Sequence, residues 1–184
     1  MKLAFFGGSF NPPHMGHQHI IDYCQKEFDK FLVIPNYNSP DNNKDVSLSH
    51  RHRINMLKLQ SKNIKIDDFE IKSKDINYTY FTIKYLIKKY KNYKIFMVLG
   101  EDQFNNLHSW NNIDFILNNV EILCFKRKTN TDKIDITSNI DMVDFDFPYS
   151  SNQIRAKIKM KENIDSNIID SQVLNYIKEH GLYI

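Results

Sequence analysis

The chain is expected to form an α/β fold, a doubly wound, mostly parallel sheet with helices on both faces. Three observations lead there. Short apolar runs alternate with longer segments whose apolar positions recur at helical spacing. Two of the runs end directly on glycine, at Gly7-Gly8 and at Gly100, where a ligand meets the carboxyl edge of a parallel sheet. No internal repeat or low-complexity linker interrupts the pattern, so the 184 residues are read as one domain, 1–184.

Leu3 to Phe6 is the first buried strand. Gly7 and Gly8 follow it, and the Ser9-Phe10-Asn11-Pro12-Pro13 turn comes next. The two prolines rule out helix there. From Met15 to about Lys30, Ile20, Ile21, Cys24 and Phe28 mark the buried side of a helix. A strand, a glycine loop and a helix entrance suit phosphate, because free N–H groups and the dipole favour an anion. His14 and His17 stand three apart, so both can face that site. As histidines they can donate near neutral pH without a large pKa shift.

The stretch GGSFNPPHMGH resembles the signature of the nucleotidylyltransferase superfamily, G-G-x-F-[DN]-P-x-H-x-G-H. With a second run, SSNQIR near residue 150, it resembles the nicotinate-nucleotide adenylyltransferase family over nearly the whole chain. The resemblance implies a Rossmann-like nucleotidyltransferase fold. It also implies transfer of AMP from ATP to nicotinate mononucleotide, with pyrophosphate released and deamido-NAD formed.

Phe31 to Pro35 is the second strand, and Asn36 to Val46 is a polar loop. Lys44, in a partial match to the family's Pro-Pro-His-Lys element, is either a phosphate contact or a solvated lysine. Ser47 or Ser49 caps a helix running to about Gln60. Within it Arg53 matches an Arg-x-x-Met element, and either touches substrate or serves a surface or ion-pair role. Ile64 to Asp67 is a short strand candidate, and Asp68 to Asn77 a polar connection. A helix opens at Asn77-Tyr78-Thr79 and runs to about Tyr90. The resemblance places Thr79 at the nicotinate mononucleotide; otherwise it is a helix cap. The family's usual aspartate two residues on is Phe81 here.

Lys94 to Leu99 is the central strand, followed by Gly100-Glu101-Asp102. By resemblance Asp102 holds a ribose hydroxyl; without it, the carboxylate caps the next helix. Leu107 and Trp110 follow, and the resemblance puts Trp110 on the nicotinate ring, although a lone tryptophan is otherwise a core residue. Glu121 to Phe125 is a further strand, closed by Lys126-Arg127-Lys128, with Arg127 beside adenine by resemblance. Thr129 to Asn139 reads as a mobile loop and Met142 to Phe147 as a last strand. Pro148, Ser150 and Ser151 are helix-start signals. The serines can offer donors to phosphate, and the Arg155 fork, one turn on, reaches the same anion. Ile154 belongs to the same element. Val173 to Tyr183 is a terminal helix ended by Gly181, in which His180 is structural.

A net charge of +3 suits anionic small molecules and is too weak for nucleic acid. Cys24 and Cys124 are read as buried thiols in a reducing cytoplasm, and their spacing holds no metal. No stretch reaches the roughly 18–20 apolar residues of a membrane helix. A homo-oligomer stays open.

The residue patterns and the resemblance together imply the following site. His14, His17 and Arg155 act on the reacting phosphates. Gly7, Gly8, Ser9, Phe10, Gly100, Asp102, Arg127, Ser150, Ser151 and Ile154 bind ATP. Lys44, Thr79, Leu107 and Trp110 bind the pyridine mononucleotide. Mg2+ comes with ATP and is held mainly through its phosphates. A phosphate monoester is already a nucleophile at pH 7, so attack is in line, without a covalent intermediate. The alternatives are nicotinamide mononucleotide as substrate, another nucleotidyltransferase such as a phosphopantetheine adenylyltransferase, or a nucleotide-binding regulator without turnover.

Overall fold

A computed structural model describes residues 1–37, 48–74, 78–127 and 140–184. Five strands lie in one sheet: β1 (Lys2–Gly8), β2 (Lys30–Pro35), β3 (Lys94–Gly100), β4 (Glu121–Arg127) and β5 (Ile140–Phe145). Every pairing is parallel, in the order β2-β1-β3-β4-β5. "Mostly parallel" was therefore an understatement for the described strands.

Strand residues alternate between two cores. Leu3, Phe5, Ile95, Met97 and Leu99 face a cluster that includes Ile83 and Leu86 of α4 (Thr79–Lys89) and Ile116 of α6 (Ile113–Asn119). Ala4, Phe6, Phe96 and Val98 face the other cluster, with Ile20, Ile21 and Cys24 of α1 (Met15–Glu27) and Leu57 of α2 (His50–Gln60). Both sheet faces are thus covered, as parallel strands require. A third cluster joins α2 to α7 (Ser151–Lys159) and α8 (Ser171–Glu179) through Met56, Ile154, Val173 and Ile177.

Several elements differ from expectation. α1 ends at Glu27, because Lys30 already pairs in β2. Ile66 makes a single parallel bridge to Val33 in place of a strand. The polar stretch after Asp67 contains a short helix, α3 (Phe69–Ser73), whose Glu70 and Ile71 are buried. The last strand starts earlier, at Ile140. Cys24 and Cys124 are buried free thiols, as expected.

The strand order reverses between β1 and β3. Chain leaving β1 goes one way to β2, and chain leaving β3 goes the other way to β4. The crevice at such a switch point, beyond the carboxyl ends of the strands, is where open α/β sheets hold ligands.

Candidate active site

A cavity of about 1020 Å3 opens at that crevice. Several distant segments of chain line it. Gly7, Gly8, Ser9, Phe10, His14 and His17 come from the end of β1 and the entrance of α1. Gly100 and Asp102 come from the end of β3, where α5 (Glu101–Asn105) begins, and Trp110 lies just beyond. Ser150, Ser151 and Arg155 come from the start of α7, and Thr79 from the start of α4.

Two expected residues lie away from the lining. The Leu107 side chain is 2% exposed and belongs to the sheet core, and Ile154 is 0% exposed, packed between α7 and α2. Both are apolar anchors of elements whose neighbours line the cavity. Arg127 ends β4, and its side chain lies outside the described residues, as do Lys44 and most of the 36–46 and 129–139 loops.

The two histidines form a stack. Their ring centroids are 3.7 Å apart, and Phe147 covers the other face of His14 at 4.9 Å. Phe10 meets the His17 ring edge-on at 5.1 Å. Gly16 makes this packing possible: a Cβ there would sit 2.5 Å from Cδ1 of Phe147. The backbone N–H of His14 donates to Nδ1 of His17 at 3.1 Å. Nδ1 is thereby the acceptor, which leaves the neutral ring's proton on Nε2. Burial lowers the His17 pKa to about 3. This corrects the expectation of an unshifted histidine: at neutral pH His17 is an uncharged Nε2–H donor.

The N-terminus of α1 was expected to offer free N–H groups, and two of them are already engaged: the His14 N–H donates to Nδ1 of His17, and the Met15 N–H to the Ile168 carbonyl at 3.0 Å. The start of α7 is more open. Ser150 caps it, accepting from the Gln153 N–H, and Gln153 returns a bond to the Ser150 N–H. The Ser151 hydroxyl donates to the Pro12 carbonyl at 2.9 Å. Both hydroxyls are thus used within the protein. The first-turn N–H groups of Ser151 and Asn152, which a helix leaves without an intrahelical acceptor, face the phosphate question instead.

The loop from Ser9 to His14 has little regular structure of its own. Its carbonyls are held by side chains from two helices. Arg53 of α2 donates to the Ser9 carbonyl at 2.8 Å, and Arg155 of α7 to the Asn11 carbonyl at 2.7 Å. Gln60 of α2 donates to the His14 carbonyl at 3.1 Å. Arg53, only 1% exposed, also donates to the Asn36 and Tyr37 carbonyls, tying the β1 and β2 exits together. It is neither a surface residue nor part of the cavity lining.

Sequence reasoning missed Glu70, which lines the cavity while 8% exposed. The Thr82 hydroxyl donates to it at 2.6 Å, and burial pushes its carboxyl up to about 7. A carboxylate in a stretch read as a polar connection carried no signal of burial. Asn11 and Phe147, also in the lining, were passed over as turn and strand residues.

Residues 5–157 match the cytidylyltransferase-like family model. A relative from Clostridium tetani, bearing the name probable nicotinate-nucleotide adenylyltransferase, is 32% identical over 99% of this chain and 98% of its own. One of the same name from Fusobacterium nucleatum is 35% identical over 97% of this chain and 98% of its own. Among solved structures, the Plasmodium falciparum nicotinic acid mononucleotide adenylyltransferase complexed with NaAD superposes with a TM-score of 0.82. At 20% identity over 99% of this chain and 97% of that one, it shows a shared fold.

Proposed function

Because this chain belongs to the nicotinate-nucleotide adenylyltransferase family, within the cytidylyltransferase-like group, we propose that it transfers the adenylyl group of ATP to nicotinate mononucleotide. Pyrophosphate leaves and nicotinate adenine dinucleotide forms, a step of NAD biosynthesis. The observation that carries this reading is the single cavity that brings His14 and His17 to the same opening as Arg155 and the start of α7. Two polyanions can be held together only where donors converge from several sides.

The reaction needs no protein nucleophile. The phosphate of the mononucleotide attacks the α-phosphorus in line, and charge moves to the leaving pyrophosphate. Alignment and charge stabilisation supply the rate. His17, uncharged, donates through Nε2–H to a phosphate oxygen. His14, stacked on it, shares the task. The N–H groups of Ser151 and Asn152 and the Arg155 guanidinium take the β- and γ-phosphates. Gly7, Gly8 and Gly100 leave the cavity floor without Cβ atoms, and Asp102 takes a ribose hydroxyl. Thr79 and Trp110 hold the pyridine end, where Trp110 offers a half-buried indole face.

Among the described residues no group of three or more His, Cys, Asp or Glu could hold a metal ion. The donor set fits Mg2+ that arrives on the triphosphate, with exposed Asp102 able to meet a bound water. When bound, it neutralises phosphate charge. No described helix is long and apolar enough to cross a membrane. Two reduced thiols fit a cytoplasmic setting.

The test is pyrophosphate release with ATP and Mg2+, with nicotinate and nicotinamide mononucleotides in parallel. Turnover with the nicotinate form at a kcat/KM well above the nicotinamide form is expected. Turnover with neither overturns the reading.

A further inference from the structure

The last turn of the chain reaches the same loop from the far end of the sequence. α8 ends at Glu179, and Gly181, at φ 57°, turns the chain back so that Leu182 packs into the α2–α7–α8 cluster. Tyr183 follows, itself at φ 65°. Its hydroxyl donates to Oδ1 of Asn11 at 2.7 Å. Asn11 is 3% exposed and lines the cavity, and its own carbonyl accepts from Arg155. One residue therefore connects the phenol to the guanidinium.

We propose that Tyr183 is a positioning residue for the reaction. Its O–H fixes the Asn11 side chain, which fixes the peptide whose carbonyl aims Arg155 at the cavity. Two features make the link specific. The loop bends at Phe10, at φ 49°, so its peptides are not held by a regular ladder. The Ser9, Asn11 and Pro12 carbonyls instead accept from side chains of α2 and α7. The Arg155 guanidinium is held on two sides, by the Asn11 carbonyl and by Oδ1 of Asn152 at 2.8 Å. Releasing the first lets the fork pivot about the second. Tyr183 does not line the cavity, so it acts through Asn11 and Arg155 and not on substrate.

The inference rests on the adenylyl-transfer reading for its kinetic arm and has a second arm that does not. Tyr183→Phe removes the hydroxyl and keeps the ring. It is expected to lower kcat about tenfold, the scale of a small misplacement of a positioning group, while KM for the pyridine mononucleotide and the melting temperature stay near wild type. In an Arg155→Lys background the same change should add less than about twofold, because coupled residues are not additive. An unchanged kcat in Tyr183→Phe overturns the proposal, as does an equal loss in both backgrounds. If wild type turns over neither mononucleotide, the reading of function fails by itself. Amide hydrogen exchange then decides: Asn11 and His14 should exchange several-fold faster in Tyr183→Phe, about what one hydrogen bond protects. Unchanged exchange at those amides overturns it.

Discussion

Replacing His17 by alanine and by glutamine separates two roles that a histidine at this position can have. As a neutral donor it loses its function in His17→Ala and keeps part of it in His17→Gln, whose amide N–H can stand near the Nε2 position. Removing one donor to developing charge costs about 10²–10³ in kcat, so His17→Ala should fall by that factor. His17→Gln should recover to within roughly tenfold of wild type, as a neutral amide donor replaces a neutral imidazole donor. The half-buried imidazole also makes a prediction about stability. Its pKa is lowered from 6.5 to about 3 by burial, so the unfolded chain takes up a proton that the folded protein refuses. Folding stability from this group is complete above pH 6.5 and declines as pH falls from 6.5 toward 3. At pH 5 the loss is about 2 kcal/mol, from a gap of about 1.5 pH units at 1.36 kcal/mol each. The measurements are pyrophosphate release across pH 5–9 and urea unfolding at pH 5.0 and 7.5, for wild type and His17→Gln. The variant should lose about 2 kcal/mol less than wild type between the two pH values. An identical acid loss in both proteins refutes the neutral imidazole. A wild-type kcat that rises on acidification through pH 6.5, absent in the variant, refutes the uncharged donor.

Two further outcomes test other parts of the site. Trp110→Ala should raise KM for the pyridine mononucleotide more than KM for ATP in the same assay; equal changes would return Trp110 to the core it partly packs against. Gly16→Ala places a methyl 2.5 Å from Phe147, and overpacking of that kind costs about 1–3 kcal/mol. Thermal unfolding should show that loss, and kcat should fall with it as the ring stack on His14 is forced apart.

Much of the fold was legible locally. The strand from Leu3, the helix after Met15, the FLVIP and KIFMVL runs and the helix begun at Ser150 all declare themselves through apolar period and cap chemistry. These signals lie within a few residues of what they determine. The short helix at Phe69–Ser73 did not declare itself, because five residues hold barely more than one turn and no full period. Glu70 and Arg53 were misjudged for a related reason. Charged side chains are read as exposed unless a partner is known, and their partners are Thr82 and the carbonyls of Ser9, Asn36 and Tyr37.

Local pattern establishes which chemistry-bearing residues exist and that two phosphate-suited turns stand at opposite ends of the chain. How they are used emerges from the folded arrangement. The parallel order β2-β1-β3-β4-β5 brings those turns to one crevice. Burial then makes His17 a neutral donor, the Ser151 hydroxyl a tether to Pro12, and a terminal tyrosine a support for the first loop. Protonation state and hydrogen-bond direction depend on solvent access and on partners more than a hundred residues away, and neither is a property of a local stretch of chain.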